Sequence, residues 1–247
     1  MLSLLIGDLF IPDRAVDIPS KFRKLLSPNA PAVPSNAKIS QVLCLGNITQ
    51  STSTLRFLHD LSPFFSAVRG EFDDVNLVSQ QLALLDAKND STLPLYRVVK
   101  ADNFRIGFTS GHQIVPRNDP LLLLAFAREI DVDILVWGGT HRVEAYTLDG
   151  KFFISPGSAT GAYSMNWPDL DEEEDEYSLD GNEEANADKT SASNAVDQDE
   201  TNFDSSHLSS SLPSFCLLDT HTSRCTLYIY TYGNDEVKVD KVLYLKD

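Results

Sequence analysis

The chain is poor in cysteine, in positive charge and in long apolar runs. Three cysteines in 247 residues are an odd number without metal-ligand spacing, which argues against a disulfide framework or a zinc ribbon. Cys44, Cys216 and Cys225 stand in apolar, strand-like contexts and read as buried thiols of a reducing compartment. No stretch approaches the roughly 20 apolar residues of a membrane span. Met1-Leu2-Ser3-Leu4-Leu5-Ile6 lacks a basic leader and soon reaches Asp8, so it reads as a first strand and not as a signal peptide. Lys and Arg number 20 against 36 Asp and Glu, and they form no cluster. Neither nucleic acid nor an anionic membrane surface is expected as a direct partner.

The acidity that is present is local. Of the net charge of -16, the segment from Asp169 to Asp204 carries -14, with 15 acidic residues and only Lys189 to oppose them; the remainder is close to neutral. Few large apolar side chains occur between Pro168 and Leu212, too few to offset the entropy of ordering that stretch. A disordered insertion at about 168–212 is expected within one domain spanning 1–247, since strand patterning resumes at Phe215. Serines beside its acids, such as Ser178, have the sequence context of acid-directed phosphorylation sites. The proline-rich run from Ser27 to Ser35 reads as a second loop.

Continuous apolar runs at Leu2 to Ile6, Ser40 to Leu45 and Phe64 to Val68 have the character of strands buried on both faces. Amphipathic segments from Pro19 to Leu26 and from Ser53 to Leu61 separate them. The alternation continues through Phe104 to Thr109, a helix at Pro120 to Ile130, and Asp133 to Trp137, which predicts parallel βαβ units up to about residue 137. Beyond it, Val143 to Thr147, Lys151 to Ile154, Phe215 to Leu218, Cys225 to Thr231 and Val237 to Leu245 are joined by turn signals such as Asp149-Gly150 and Gly233-Asn234, and predict antiparallel hairpins. The combination predicts an α/β fold: two sheets packed face to face with helices outside, a four-layer αββα sandwich.

Glycine-punctuated turns follow the strands: Gly7-Asp8, Gly46-Asn47, Gly70-Glu71-Phe72-Asp73, Gly111-His112 and Gly139-Thr140-His141. In order and spacing they resemble the metallophosphoesterase motifs, whose Asp, Asn and His ligands hold two divalent cations at the carboxyl ends of strands. Together with Ser155-Pro156-Gly157-Ser158-Ala159-Thr160-Gly161-Ala162-Tyr163, they more closely resemble the small phosphoesterase-like subunit of the retromer coat, a vacuolar protein sorting complex. The resemblance covers the chain outside its loop insertions and implies the metallophosphoesterase type of αββα sandwich.

Transferred position by position, the metal site is eroded. Asp8 and His141 stand at ligand positions, and Asn47 and Glu71 occupy the second and third motifs with altered side chains. Phe10, Ser110 and Gly139 replace histidines, and Phe72 replaces the histidine that would assist a leaving group. No metal, no cofactor and no catalytic residue is expected; Asp8, Asn47, Glu71 and His141 are vestigial positions. Asp8 has a second reading, a carboxylate that accepts hydrogen bonds from loop amides. The alternative to a non-enzyme is a metal-dependent phosphoesterase with a reduced site.

Loops seldom cluster apolar residues unless something covers them. Phe10, Ile11, Ile114 and Val115 lie on loops at the eroded end, where they either tuck onto the sheet ends or form an interface; the resemblance implies that this end docks into the large α-helical solenoid subunit of retromer. Along Thr226 to Tyr232, period-two geometry places Tyr228, Tyr230 and Tyr232 on one face. By resemblance, Leu2, Leu25, Leu217, Tyr228, Tyr230 and Val239 form a hydrophobic groove for sorting nexins and regulatory proteins bearing short Pro-Leu motifs. The expected function is a non-catalytic scaffold of endosome-to-Golgi retrograde transport, cytoplasmic and held on endosomal membranes only through the complex.

Overall fold

A computed structural model describes residues 1–27, 39–48, 50–85, 93–164 and 212–246. The acidic insertion at about 168–212 and most of the proline-rich loop lie outside the described residues, and with them the question of a single domain over 1–247. Strand β1 (Leu2–Ile6) runs parallel to β2 (Gln41–Cys44), which runs parallel to β3 (Phe65–Ala67). On its other edge β1 pairs antiparallel with β9 (Ser214–His221), followed by β10 (Arg224–Gly233) and β11 (Glu236–Leu245). The first three and last three strands thus make one six-stranded sheet. The second sheet has the order β4 (Tyr96–Ala101), β5 (Phe104–Thr109), β6 (Ile134–Trp137), β8 (Lys151–Pro156) and β7 (Val143–Leu148), with β5, β6 and β8 parallel.

Alternation along the strands builds three apolar layers. Leu5, Leu43, Cys216, Leu227 and Ile229 of the first sheet meet Ile106, Phe108, Ile134, Val136, Phe152 and Ile154 of the second. The opposite face of the first sheet, with Leu4, Ile6, Val42, Cys44 and Phe215, is covered by α1 (Ser20–Leu26), α2 (Thr52–Asp60) and α3 (Val75–Leu85). Leu135, Trp137 and Phe153 lie beneath α4 (Pro120–Glu129). The order helix, sheet, sheet, helix is the αββα sandwich expected, and the runs at β1 and β2 are continuous because both faces are dry. The three cysteines are free and buried, and burial pushes the Cys44 thiol up to about 12.

Helix boundaries follow local chemistry. Asp119 caps α4 by accepting from the backbone N–H groups of Leu121 and Leu122 at 2.8 and 3.0 Å, with Pro120 in the first turn. Ser51 caps α2 through the N–H of Thr54. Two elements differ from the pattern read in the sequence. Helix α3 fills a stretch that carries no assignment there, and β4 forms an antiparallel hairpin with β5, so the βαβ rule is broken before residue 137. Asp102, at positive φ in the turn between them, makes the hairpin local.

Candidate functional site at the carboxyl ends of the strands

Parallel strands deliver their following loops to one end of a sheet, where ligand sites of open α/β sheets lie. Here the loops after β1, β2, β3, β6 and β8 meet around Asp8, which is wholly buried. Its Oδ1 accepts from Asn47 Nδ2 at 2.9 Å and its Oδ2 from the Gly139 N–H at 2.7 Å. Asp8, Phe10, Asn47 and His141 all hold positive φ, between 48° and 59°, in the left-handed region that costs most for side chains like Phe and His. Gly46 has φ +89°, and a Cβ there would strike the Gly70 backbone. The Gly-Asn and Gly-Glu loops therefore touch main chain to main chain.

The Pro-Gly-Ser-Ala-Thr-Gly run secures the Asp8 loop. Ser158 Oγ donates to the Asp8 carbonyl at 2.7 Å, Thr160 Oγ1 to the Leu9 carbonyl at 2.8 Å, and the Ala159 N–H to the Gly7 carbonyl at 3.1 Å. His141 Nδ1 bonds to the Ala162 carbonyl. Asp73 completes the frame by accepting from the N–H groups of Asn47 and Gly70, both at 2.8 Å. Sequence reasoning left Asp73 without a role; the spacing Gly70-x-x-Asp73 was its signal.

Of the four positions expected to be vestigial, Asp8, Asn47 and His141 are brought together and Glu71 is turned away. Both Glu71 oxygens take Arg117 Nη2, at 2.8 and 2.7 Å. The donor set does not fit a metal pair. Asn47 aims its N–H₂ at Asp8 and uses its Oδ1 to accept from the Phe72 N–H at 3.2 Å, so its one metal-binding atom is engaged. Among the described residues no group of three or more His, Cys, Asp and Glu is arranged to hold an ion. Burial raises the Asp8 pKa, opposed by His141, the Gly139 N–H, Asn47 and Arg14.

Aromatic rings close the mouth. Phe10 lies 5.2 Å from His141, stacked at 29°, and 5.4 Å from Phe72. The Arg14 guanidinium stands 4.0 Å over Phe10, 4.9 Å from Phe72 and 5.4 Å from Tyr163, donating to the Tyr163 carbonyl at 3.2 Å. Nothing in the sequence marked Arg14, a lone basic residue in a loop.

Three of the four apolar loop residues tuck onto the fold, the first of the two readings open for them. Phe10, Ile11 and Ile114 are 2%, 5% and 7% exposed, because Ile11 packs beneath α1 and α2, Ile114 beneath α4, and Phe10 against His141. Val115 alone stands out, at 74%. Phe72 and Tyr163 are about half exposed beside Arg14.

At the second region the ladder registers put five of six predicted groove residues on one face. Leu2 lies two residues before Leu4, Leu4 opposite Leu217, Leu217 opposite Tyr228, and Tyr230 opposite Val239. Tyr230 stacks on Phe215 at 4.7 Å and 5°. Leu25 is a partly exposed residue of α1, the helix whose Phe22 packs on Phe215 of the same face.

Residues 23–168 match a family model for the calcineurin-like phosphoesterase superfamily domain. Vacuolar protein sorting-associated protein 29 of Saccharomyces cerevisiae is 42% identical over 289 aligned residues that span 100% of both chains. The chain belongs to the Vps29 family. The crystal structure of Chaetomium thermophilum Vps29 is 36% identical with a TM-score of 0.69, covering 100% of this chain and 99% of that one. Entamoeba histolytica Vps29, solved in complex with zinc, is 31% identical with a TM-score of 0.67, covering 98% of this chain and 99% of the other. Vps29 membership bears out the resemblance drawn from the glycine motifs, and the phosphoesterase match bears out the fold. Membership of the Vps29 family also places the chain in vacuolar protein sorting. Among the described residues no helix is long and apolar enough to cross a membrane.

Proposed function

We propose that this chain is a non-catalytic scaffold subunit of the retromer coat. The loop end around Val115, with Ile114, Ile11 and Phe10 beneath it, docks on the large α-helical solenoid subunit. The sheet face carrying Leu2, Leu217, Tyr228, Tyr230 and Val239, with Leu25 beside it, takes short hydrophobic motifs of sorting nexins and regulatory proteins. The complex, and not this chain, contacts the endosomal membrane and acts in endosome-to-Golgi transport.

The observation that carries this reading is the internal use of the former ligands: Asp8 is held by Asn47 and Gly139, Asn47 by Phe72, and Glu71 by Arg117. A hydroxide bridging two cations needs those atoms free. A second reading, a metal-dependent phosphoesterase with a reduced site, is favoured by the superfamily match and by the zinc complex of the Entamoeba relative. One purification separates them: the tagged chain should bring down a large helical-repeat subunit, and the pure chain should not hydrolyse a phosphodiester with manganese present. Metal-dependent turnover without a helical-repeat partner would establish the second reading.

A further inference from the structure

We propose that Arg14 is the resident cation of this site, its guanidinium supplying to the Asp8 loop the positive charge that a divalent ion supplies in metal-holding phosphoesterases. The proposal stands on the site geometry and does not depend on which partner docks there.

Three observations carry it. The first is the stack: Arg14, Phe10 and His141 follow one another, with the guanidinium carbon 4.0 Å from the Phe10 centroid and the imidazole 5.2 Å from that centroid. Phe10 stands two residues after Asp8, where the superfamily motif has a histidine, so one substitution removes a ligand and supplies a ring face for a cation. The second is the reach: Phe10, Phe72 and Tyr163 belong to loops after β1, β3 and β8, and one guanidinium contacts all three rings and the Tyr163 carbonyl. A metal ties loops from different strands together in the same way. The third is the wholly buried Asp8, which accepts from the Asn47 and Gly139 N–H donors and lies two residues before the Phe10 ring that carries the guanidinium. A planar, weakly hydrated guanidinium suits stacked rings better than an ammonium does, which specifies Arg and not Lys.

The test is a double-mutant cycle on the full chain, read by urea unfolding. Arg14→Met keeps the aliphatic stem and drops the charge; it is expected to shift the equilibrium about tenfold toward the unfolded chain. In an Asp8→Asn background the same substitution should shift it less than about threefold. Arg14→Lys should recover under half of the lost stability. Additive effects of Arg14→Met and Asp8→Asn, or an Arg14→Met protein as stable as wild type, would overturn the proposal by reducing Arg14 to a packing residue. Calorimetry of wild-type protein with zinc or manganese supplies a readout should the variants not fold. No binding is expected; a tight site with Arg14 in place would overturn the proposal equally.

Discussion

Tyr228 lies directly across the β9–β10 ladder from Leu217, and both rise on the face of the first sheet that α1 only partly covers. In the proposed binding face these two side chains stand as a directly opposed cross-strand pair. Tyr228→Ala is expected to weaken a Pro-Leu peptide by about 2 kcal/mol, the threshold of a hot spot, as measured by calorimetry. The same variant should keep wild-type yield of the solenoid subunit in a pull-down. An unchanged peptide affinity would remove Tyr228 from the groove.

Val115 makes the converse demand. At 74% exposure its replacement should leave the free fold within about 0.5 kcal/mol of wild type, yet Val115→Asp would place an unpaired carboxylate in a desolvated contact. The solenoid complex should weaken at least about thirtyfold. A folded Val115→Asp protein that co-purifies at full yield would show the docking face to be elsewhere.

Asp8→Ala tests whether internal hydrogen bonds hold the Asp8 loop. It strands the buried Asn47 N–H₂ and the partly buried Gly139 N–H, at an expected cost of about 2–4 kcal/mol in urea unfolding. The size of that loss should be the same with manganese or with a chelator. A wild-type midpoint that falls on chelation would mean that an ion, and not the hydrogen bonds, holds the loop.

His112 gives the pH dependence. Partial burial pushes its imidazole below the ordinary value of 6.5, against the pull of the Glu71 carboxylate, and Ser110 Oγ bonds its Nδ1. The unfolded chain then takes up the proton first as pH falls. The contribution of His112 is whole above about pH 6.5 and is lost as pH drops through its lower folded value. Melting temperatures of wild type should decline between pH 7 and pH 5 more steeply than those of His112→Gln; parallel slopes would refute this.

What could be read without coordinates was what repeats or punctuates. Leu2 to Ile6 and Ser40 to Leu45 announce two-sided burial by having no polar break, and Pro120 after Asp119 announces a helix start. Helix α3 hides because Asn76, Ser79, Gln80 and Gln81 interrupt its apolar stripe, although Asp74 Oδ1 accepts from the Asn76 and Leu77 N–H groups. Strand β4 hides because it is an edge, with Arg97 and Lys100 in its alternation. At the site, identity showed which ligands were gone. It could not show that Ile11 and Ile114 turn inward while Val115 turns out, or that Arg14 reaches three rings, since a side chain's direction in a loop is set by tertiary contacts and not by periodicity.

The pairing of Leu2 to Leu5 with Cys216 to Asp219 bears on synthesis. A ribosome releases β1 first and its antiparallel neighbour only after some two hundred further residues, so the nascent chain must hold Leu4, Leu5 and Ile6 without a complete sheet for most of translation. Pairings this distant in sequence are slow to form. Once both ends are out, however, the closure entropy rises by only about 0.6 kcal/mol for each doubling of the connecting length. The segment between β8 and β9 can therefore lengthen or shorten among orthologues at small thermodynamic cost, and divergence in this lineage should accumulate there while the β1–β9 register stays fixed.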